Sequence, residues 1–424
     1  MNPNKPKVLI VSPAAFIPDW QGSRKRVKQM IEVMEQLGFQ VHFVFVRRSD
    51  QLDGDKDAMS RRLGGRFIEL EDKKAAGRFS WWYWKIRLAS KLRLYKACNI
   101  GIDDWYFDEI TKNVKAIIEK ENIDVVLLEY EYYSKLFEHI SGVLKIMDMH
   151  DVFADRYKEF LRNGKRPAPW YSVSARDEKK AINRADIVLA IQGGDAAVFR
   201  SYGHPNVLTL SYAPEPSNQI KYNKSEKLRM CFLGTGNGFN RCALDYYLQS
   251  VHPALLSAGI DYELVVIGAV CEPFRNIQIE GNIKFLGRVA DLEQELLRCD
   301  ALVNSLASGT GLPIKVLDAL ACGLHVLATD AGARGLPMQH NLSAVWICNE
   351  IQDWVDAVQT LVQKKWNGVD LTADALRDIG VIQKDIDVSK QDLYKMLLTR
   401  LSGVGVEPPL GNCVDCTEVF ADAE

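Results

Sequence analysis

The sequence lacks any hydrophobic run long enough to cross a membrane. Ala319 to Leu327 is among its longest apolar runs, yet it contains glycine and histidine and falls well short of the ~20 residues that span a bilayer. Met1 to Lys7 lead straight into an apolar segment and lack the long hydrophobic region of a secretory signal. We therefore expect neither a membrane-spanning helix nor an export signal.

The sequence also lacks a strong net charge and a disulfide-like pattern of cysteines. Its 53 Lys and Arg residues nearly balance 55 Asp and Glu residues, so the formal net charge is −2. That balance gives no general attraction to nucleic acid, and any basic surface must be local. Several of the nine cysteines lie within apolar segments, which is typical of buried thiols in a reducing compartment. We predict a cytoplasmic protein, at most peripheral at the inner face of the membrane.

Hydrophobic patterning predicts an α/β fold. Short apolar runs alternate with longer amphipathic stretches, for example a helix at Asp108 to Glu121 before a strand at Val125 to Glu129. This rhythm is typical of parallel sheets covered by helices, and 424 residues are enough for two such cores. A segment with Pro214 and Pro216 interrupts the rhythm and is the predicted linker. We therefore predict two doubly wound Rossmann-like domains facing across a cleft.

The same pattern sets the predicted domain limits. They are 1–212 for the N-terminal domain, 224–365 for the C-terminal domain, 366–402 for a helical closing segment, and 403–424 for a disordered tail. Within the closing segment, Ser389 is the predicted N-cap of a helix that ends near Leu401.

A glycine-rich segment of the second half combines the features of an anion-binding loop. Ser308-Gly309-Thr310-Gly311-Leu312-Pro313 follows a predicted strand, and Pro313 suits the first turn of a helix. Free backbone N–H groups at a helix start carry partial positive charge and favour an anion such as a diphosphate. Gly309 and Gly311 let the main chain approach that anion closely.

Three side chains around this loop have suitable chemistry. Thr310 offers a hydroxyl donor, and Lys315 lies in the first helical turn and adds a full positive charge. Asp318 repels phosphate but accepts hydrogen bonds from a ribose diol, as acids do in other nucleotide sites. An ordinary glycine-rich turn before a surface helix fits the same spacing, because short glycine motifs match by chance.

The run from Ser308 to Gly323, followed by Val326-Leu327-Ala328-Thr329, resembles the donor-site signature of GT-B retaining glycosyltransferases of family 4. Phe232-Leu233-Gly234-Thr235, with Asn237 and Asn240, is similar to that family's first loop of the nucleotide domain, and Phe285-Leu286-Gly287-Arg288-Val289 is similar to its base-binding strand end. The resemblance covers most of Leu228 to Leu336. It implies that Lys315 and Asp318 are catalytic and that the following residues bind the donor: Gly234, Thr235, Asn237, Asn240, Arg288, Val289, Gly309, Thr310 and Gly311.

The motif departs from the family at two places. The family usually carries two glutamates separated by seven residues, and this chain has Thr310 at the first place and Asp318 at the second. Thr310 resembles a Gly-Thr-Gly branch of the family. Asp318 is one methylene shorter than glutamate, so its backbone must come closer to reach the ribose.

The N-terminal half resembles the family more loosely. Gln21-Gly22-Ser23-Arg24 is similar to the glycine loop that faces the diphosphate, with Gly22 and Arg26 as predicted donor ligands. Met147 to Asp151 is similar to the strand end whose histidine contacts the donor sugar, so the resemblance makes His150 catalytic. Without the resemblance, His150 fits equally a buried strand-end histidine with satisfied hydrogen bonds.

The resemblance implies transfer of a sugar from a nucleotide diphosphate sugar to a glycan or lipid-linked acceptor hydroxyl, with retention of anomeric configuration. No Asp-x-Asp pair lies at a suitable strand end, and Cys413 and Cys416 supply only two of the four ligands of a closed zinc site. We predict metal independence and no cofactor besides the donor substrate. Two alternatives stay open: a catalytically silent module that binds a nucleotide sugar or a partner, and a nucleotide-sugar epimerase.

One local tract, 78–96, is both basic and aromatic. Trp81, Trp84, Leu88, Leu92 and Tyr95 recur at helical spacing and are interleaved with Lys and Arg. One interpretation is a surface helix that packs its aromatic side on the N-terminal domain. The other is a helix that rests at a membrane interface or holds a lipid diphosphate acceptor.

Overall fold

The computed structural model describes residues 5–48, 54–72, 81–220, 227–274 and 279–402. They divide into two units. Unit 1 contains the described residues of Met1–Phe160, Arg166–Ser211 and Asp387–Glu424, and unit 2 contains those of Leu161–Lys165 and Tyr212–Ile386. Both units are α/β, as predicted. In the described part of the chain, no helix combines the length and the apolar character needed to cross a membrane.

Unit 1 is built around one sheet of seven parallel strands, in the order β3-β2-β1-β4-β5-β6-β7. The strands are β1 Lys7–Ser12, β2 Gln40–Arg48, β3 Phe67–Asp72, β4 Val125–Glu129, β5 Leu144–Met149, β6 Ile187–Ala190 and β7 Val207–Thr209. The helices are α1 Gly22–Gln36, α2 Lys56–Leu63, α3 Trp81–Lys91, α4 Asp108–Glu121, α5 Leu136–His139, α6 Lys158–Arg162, α7 Ala175–Ile182 and α8 Gly193–Ser201. The central strands are almost entirely buried, which is typical of parallel sheets covered on both faces.

Unit 2 repeats this plan with six parallel strands, in the order β10-β9-β8-β11-β12-β13. The strands are β8 Leu228–Leu233, β9 Tyr262–Ile267, β10 Asn282–Gly287, β11 Ala301–Asn304, β12 His325–Ala328 and β13 Val345–Ile347. The helices are α9 Gly238–Tyr246, α10 His252–Ser257, α11 Leu292–Leu296, α12 Ile314–Ala321, α13 Ile351–Trp366 and α14 Thr372–Ser402. Helix α14 contributes its residues up to Ile386 to unit 2 and those from Asp387 to unit 1. One hydrophobic core, which includes the fully buried Trp354, fills unit 2.

Strong patterns gave accurate limits, and weak ones did not. Helix α4 and strand β4 begin and end as predicted. Hydrophobic spacing predicts a helix at Ala243 to Ala258. The helix instead begins at Gly238, because the Asn237 side chain caps it by accepting from the Asn240 N–H. Ser389 is wrong as an N-cap: it lies inside the 31-residue helix α14, whose polar sequence hides its periodicity.

The aromatic tract packs on a different face from the one its spacing suggested. Helix α3 buries Ile86 and Ala89. Trp82 of the same face contacts Trp105, with ring centroids 5.5 Å apart. Trp81 and Trp84, which the packing interpretation placed against the domain, are exposed. That interpretation is therefore wrong about the side of the helix. Arg78 lies outside the described residues.

The cysteines of the described residues are all free thiols, and only Cys242 is more than slightly exposed. This agrees with the prediction of buried thiols. Cys413 and Cys416 lie outside the described residues, as does the whole segment 403–424 that was predicted to be a tail.

Candidate functional site

The strand order of unit 2 reverses between β8 and β11, which pair in parallel register from Ala301 with Met230. In open parallel sheets, ligands bind beyond the carboxyl ends of the strands at such a reversal. The chain that follows β8 contains Gly234, Thr235 and Asn237, and the chain that follows β11 contains residues 308–313, which we call the donor loop. The fold therefore brings both predicted loops to one edge of the sheet.

The donor loop ends at the start of helix α12. The helix begins at Ile314, with Pro313 as its N-cap residue. No side chain caps it, and its first turn has no acidic residue. The Ile314 and Val316 N–H groups donate to the Leu312 and Pro313 carbonyls, and the helix dipole gives this end a partial positive charge. Gly311 has a φ of 67°, a left-handed conformation that glycine adopts without strain. This is the geometry of an anion-binding helix start.

Arg334, on the loop after β12, binds the main-chain carbonyls of the donor loop. Its Nε donates to the Gly311 carbonyl at 2.8 Å and its Nη2 to the Thr310 carbonyl at 2.7 Å. A Cβ on Gly309 would lie 3.0 Å from the same guanidinium, so a larger residue there would force the Arg334 side chain to shift. No motif in the sequence pointed to Arg334, because only the fold brings its loop under residues 309–311.

Lys315 joins helix α12 to the end of β8. Its Nζ donates to the Leu233 carbonyl at 2.9 Å and to Asn240 Oδ1 at 3.3 Å. The ammonium also lies 5.4 Å from the centre of the Phe232 ring. Burial, together with the nearby charge of Arg334, lowers the pKa of Lys315 to about 7. A bound diphosphate would stabilise the charged form, because opposite charges raise the pKa of an amine.

The loop after β8 is held by its own side chains. Asn237 Oδ1 accepts from the Asn240 N–H at 2.9 Å, and the amide nitrogens of both residues donate to Thr235 Oγ1 at 3.0 and 3.1 Å. A Cβ on Gly234 would lie 3.1 Å from the Asn240 Cβ. Gly234, Thr235, Asn237 and Asn240 thus form one compact turn, which Lys315 contacts.

The other predicted residues of unit 2 occupy two separate places. Asp318 is buried on α12, and its Oδ1 accepts from the Tyr212 hydroxyl at 3.3 Å. Arg288 and Val289 follow β10, the edge strand, which β9 separates from β8. Arg288 is exposed. Their role in binding the base stays a prediction.

Asn163 is a further neighbour of the donor loop that the sequence did not reveal. Its Nδ2 donates to Ser308 Oγ at 2.5 Å. Asn163 belongs to the short segment Leu161–Lys165, which is part of unit 2 although the flanking chain belongs to unit 1. A lone asparagine in an irregular segment carries no sequence signal.

The predicted residues of unit 1 form a second group at the carboxyl ends of its central strands. Arg26, on α1, is fully buried and forms a bidentate ion pair with Asp148. Its Nε donates to Oδ2 at 2.9 Å and its Nη2 donates to Oδ1 at 2.7 Å. Its Nη1 donates to the Ser211 carbonyl at 3.0 Å. The guanidinium is thus used inside the unit, so its direct contact with a donor stays a prediction and its visible role is to neutralise Asp148.

His150 follows β5 and lies against two carboxylates. Its Nε2 is 2.6 Å from Glu129 Oε2 and 3.3 Å from Asp148 Oδ2. Burial alone would lower the pKa of His150, but the two carboxylates outweigh it and raise the pKa to about 8. Burial and the charge of Asp148 raise the pKa of Glu129 to about 7. The two carboxylates therefore favour the imidazolium form of His150, and the sequence had not identified Glu129 as its partner.

Tyr130 covers one face of His150. The two ring centroids are 4.0 Å apart, and Tyr130 also stacks on Tyr132 at 4.9 Å. The backbone of Tyr130 has a φ of 68°, which is strained for a side chain of this size and is typical of functional sites. Its hydroxyl hydrogen-bonds Ser23, the residue after Gly22, and so links the start of α1 to this group.

Glu129, Asp148 and His150 are also the one group of three within the described residues whose ligand atoms, all within 4.8 Å of one another, are close enough to share a metal ion. Both oxygens of Asp148 already accept from Arg26, and Nε2 of His150 is bonded to Glu129. A cation would have to replace these bonds and would meet the guanidinium charge. The donor set therefore fits a buried ion network better than a metal.

Known proteins resemble this chain in sequence and in fold. Residues 227–364 match the family model described as Glycosyl transferases group 1. A Klebsiella pneumoniae protein named as an uncharacterized 44.6 kDa protein in the cps region is 23% identical over 377 residues, which is 81% of this chain and 88% of that protein.

Two solved structures show the shared fold. A glycosyltransferase from Rickettsia africae superimposes with a TM-score of 0.60 at 13% identity, over 94% of this chain and 99% of that one. Anabaena HepE, solved with UDP and glucose, superimposes with a TM-score of 0.57 at 12% identity, over 92% of this chain and 99% of that one. On this sequence match and these superpositions, the chain has the GT-B fold, and its residues 227–364 are similar to the Glycosyl transferases group 1 family.

Proposed function

We propose that this protein transfers a sugar from a nucleotide diphosphate sugar to a hydroxyl of a glycan or lipid-linked acceptor, with retention of anomeric configuration. One observation carries the proposal: the uncapped start of α12, the glycines of the donor loop and the Lys315 ammonium all lie at the strand-order reversal of unit 2. These are donors for a diphosphate that sequence and fold provide together.

Unit 2 would bind the nucleotide diphosphate. The helix start and Lys315 would stabilise the negative charge that grows on the leaving phosphate, since preorganised donors do this without reorganisation. Thr310 would add a hydroxyl donor, and Asp318 would accept from the ribose diol. The Anabaena structure, which contains UDP, supports this type of ligand.

Unit 1 would act on the sugar and the acceptor. Among the described residues none hydrogen-bonds Nδ1 of His150, and Glu129 holds the ring through Nε2, so Nδ1 is the atom offered to a ligand hydroxyl or phosphate oxygen. The leaving diphosphate would take the acceptor proton, as the resemblance to the family implies. Retention follows from the resemblance and is part of the proposal.

We also propose that transfer needs no metal ion. The positive charge that a metal would supply to the leaving phosphate comes instead from Lys315 and the α12 start, with Arg334 as a third positive group under the loop. Activity should persist in excess chelator. Complete loss that added Mg²⁺ or Mn²⁺ restores would reject this part.

Replacing Lys315 tests the function itself. Lys315→Ala should lower kcat/KM by roughly 10²–10³-fold, the usual effect of removing one charge-stabilising donor. A thermal-shift screen first identifies the nucleotide sugar that stabilises the protein. Transfer of its sugar to an acceptor is then measured, and NMR assigns the anomeric configuration of the product. Lys315→Arg should retain more activity than Lys315→Ala. The matched control is Lys364→Ala, which removes a lysine of α13 that pairs with Asp374.

Three outcomes would overturn the proposal. Donor binding without any transfer would identify a silent binding module. Conversion of the donor sugar in the absence of acceptor would identify an epimerase. Wild-type activity in a folded Lys315→Ala protein would remove the residue from the site.

A further inference from the structure

Helix α3 exposes a ridge of large apolar side chains. Trp81, Trp84 and Leu88 are spaced three and four residues apart and so lie on one face of the helix. Leu92 and Leu94 continue the exposed surface beyond its end. The exposed fractions are 71% for Trp81, 59% for Trp84, 59% for Leu88, 57% for Leu92 and 59% for Leu94. We call these five residues the α3 ridge.

The ridge is not needed for packing. Ile86 and Ala89 are buried on the opposite side, and Trp82 of that side contacts Trp105. Helix α3 is therefore apolar on two faces, of which only one covers the domain. An exposed cluster of this size is unusual for a soluble surface and marks an interaction site.

The charges around the ridge have one sign. Residues 81–102 contain five cations and no carboxylate: Lys85, Arg87, Lys91, Arg93 and Lys96. Arg87 lies 5.7 Å from the Trp84 ring, and Lys85 lies 5.2 Å from the Trp81 ring. Within the described part of the chain, no carboxylate forms an ion pair with Arg87, Lys91 or Arg93. This local charge contrasts with the net charge of −2 of the whole chain.

We propose that the α3 ridge docks on the surface of an anionic membrane. Tryptophans and leucines would enter the boundary between headgroups and acyl chains, while Lys and Arg would contact anionic headgroups. A helix of 11 residues is about 16 Å long and lies in the interface rather than crossing it. A second copy of this chain is a poorer occupant, because a twofold contact would bring the five cations against five more.

This inference does not depend on sugar transfer, because membrane binding is measured without donor or acceptor. The full chain is mixed with vesicles of phosphatidylcholine alone, or with one third phosphatidylglycerol, and separated by flotation. Protein should float with the anionic vesicles only, and added salt should weaken the binding.

Two variants separate the apolar and the ionic contributions. Arg87→Glu/Lys91→Glu should weaken binding to anionic vesicles by at least about tenfold, since each surface cation contributes several-fold. Trp81→Ser/Trp84→Ser should weaken it similarly while leaving the charge unchanged. The matched controls are Lys112→Glu/Lys115→Glu, a pair of exposed lysines on α4, and Trp366→Ser, which removes a tryptophan that is 74% exposed in unit 2.

Three results would overturn the inference: no flotation with either vesicle, equal losses in the ridge variants and the controls, or a dimer in solution that the ridge variants convert to monomer. The thermal midpoint of each variant is measured in parallel. A ridge variant that has lost its fold is replaced by Leu88→Ser, an exposed position with little packing to lose.

Discussion

The two groups of predicted residues hold charge in opposite ways. In unit 2, main-chain N–H groups of α12 and one lysine are left without a carboxylate partner, and burial lowers the pKa of Lys315 to about 7. In unit 1, Arg26, Asp148, Glu129 and His150 neutralise one another, and His150 becomes more basic. The charges of the second group balance one another, whereas a bound anion would balance those of the first. Oε1 of Glu129 and Nδ1 of His150 nevertheless have no hydrogen-bond partner among the described residues, so the balanced group also has polar atoms to offer a ligand.

The largest effect should come from breaking the complete network. Arg26→Met leaves the fully buried Asp148 without its bidentate partner, and loss of one partner of a buried pair costs about 3–5 kcal/mol. Chemical denaturation should show this loss in the free energy of unfolding. The double variant Arg26→Met/Asp148→Leu should recover much of it, because the unpaired Asp148 carboxylate is then removed as well. Equal stability of the single and double variants would contradict the assignment of a buried ion pair.

A smaller effect should follow from loosening the donor loop. Arg334→Ala removes the two bonds to the Thr310 and Gly311 carbonyls, so the loop should bind a nucleoside diphosphate about tenfold more weakly while the fold persists. Calorimetric titration measures the affinity. Arg298→Ala, which removes an exposed arginine of unit 2 paired with Glu295, is the matched control. Unchanged affinity in Arg334→Ala would show that the loop keeps its shape without the guanidinium.

The most gradual effect is a pH dependence of the free energy of unfolding that comes from His150. Its folded pKa, about 8, lies above the unfolded value near 6.5, so its contribution is full below about pH 6.5 and is lost as the pH rises through about 8. Stability should fall by roughly 2 kcal/mol over this window. In Glu129→Gln the pKa of His150 should drop and the fall should flatten. Glu35→Gln, which loses only a partly exposed pair with Arg62, should keep the wild-type slope.

The sequence predicted local features of the molecule better than features that depend on distant residues. The donor loop could be predicted because the loop and its neighbours lie close together in sequence, within residues 308–318. Helix spacing alone places Lys315 and Asp318 near it. The β8 and β11 loops were readable as neighbours because parallel strand order is restricted. The sheets themselves followed from buried apolar runs, while the acid-rich edge strand β3 and the polar helix α14 gave too little periodicity to identify.

The residues that the sequence missed act across long separations. Arg334 reaches carbonyls 23 and 24 positions away, and Glu129 reaches His150 across 21 positions. Such pairs have no spacing rule, because the intervening strands and loops vary freely in length. Arg26 was predicted as a donor ligand, which stays a prediction, and its bidentate contact with Asp148, 122 positions away, depends on tertiary structure.

The lowered pKa of Lys315 would couple the binding of a diphosphate to the uptake of a proton. With a pKa of about 7, both the ammonium and the neutral amine are present near neutral pH when no diphosphate is bound. Lys315 would take up a proton from the solvent when a diphosphate binds and would release that proton when the diphosphate dissociates. The affinity of the donor loop for a diphosphate would then depend on pH. A rise in pH would favour the neutral amine and therefore release of the diphosphate.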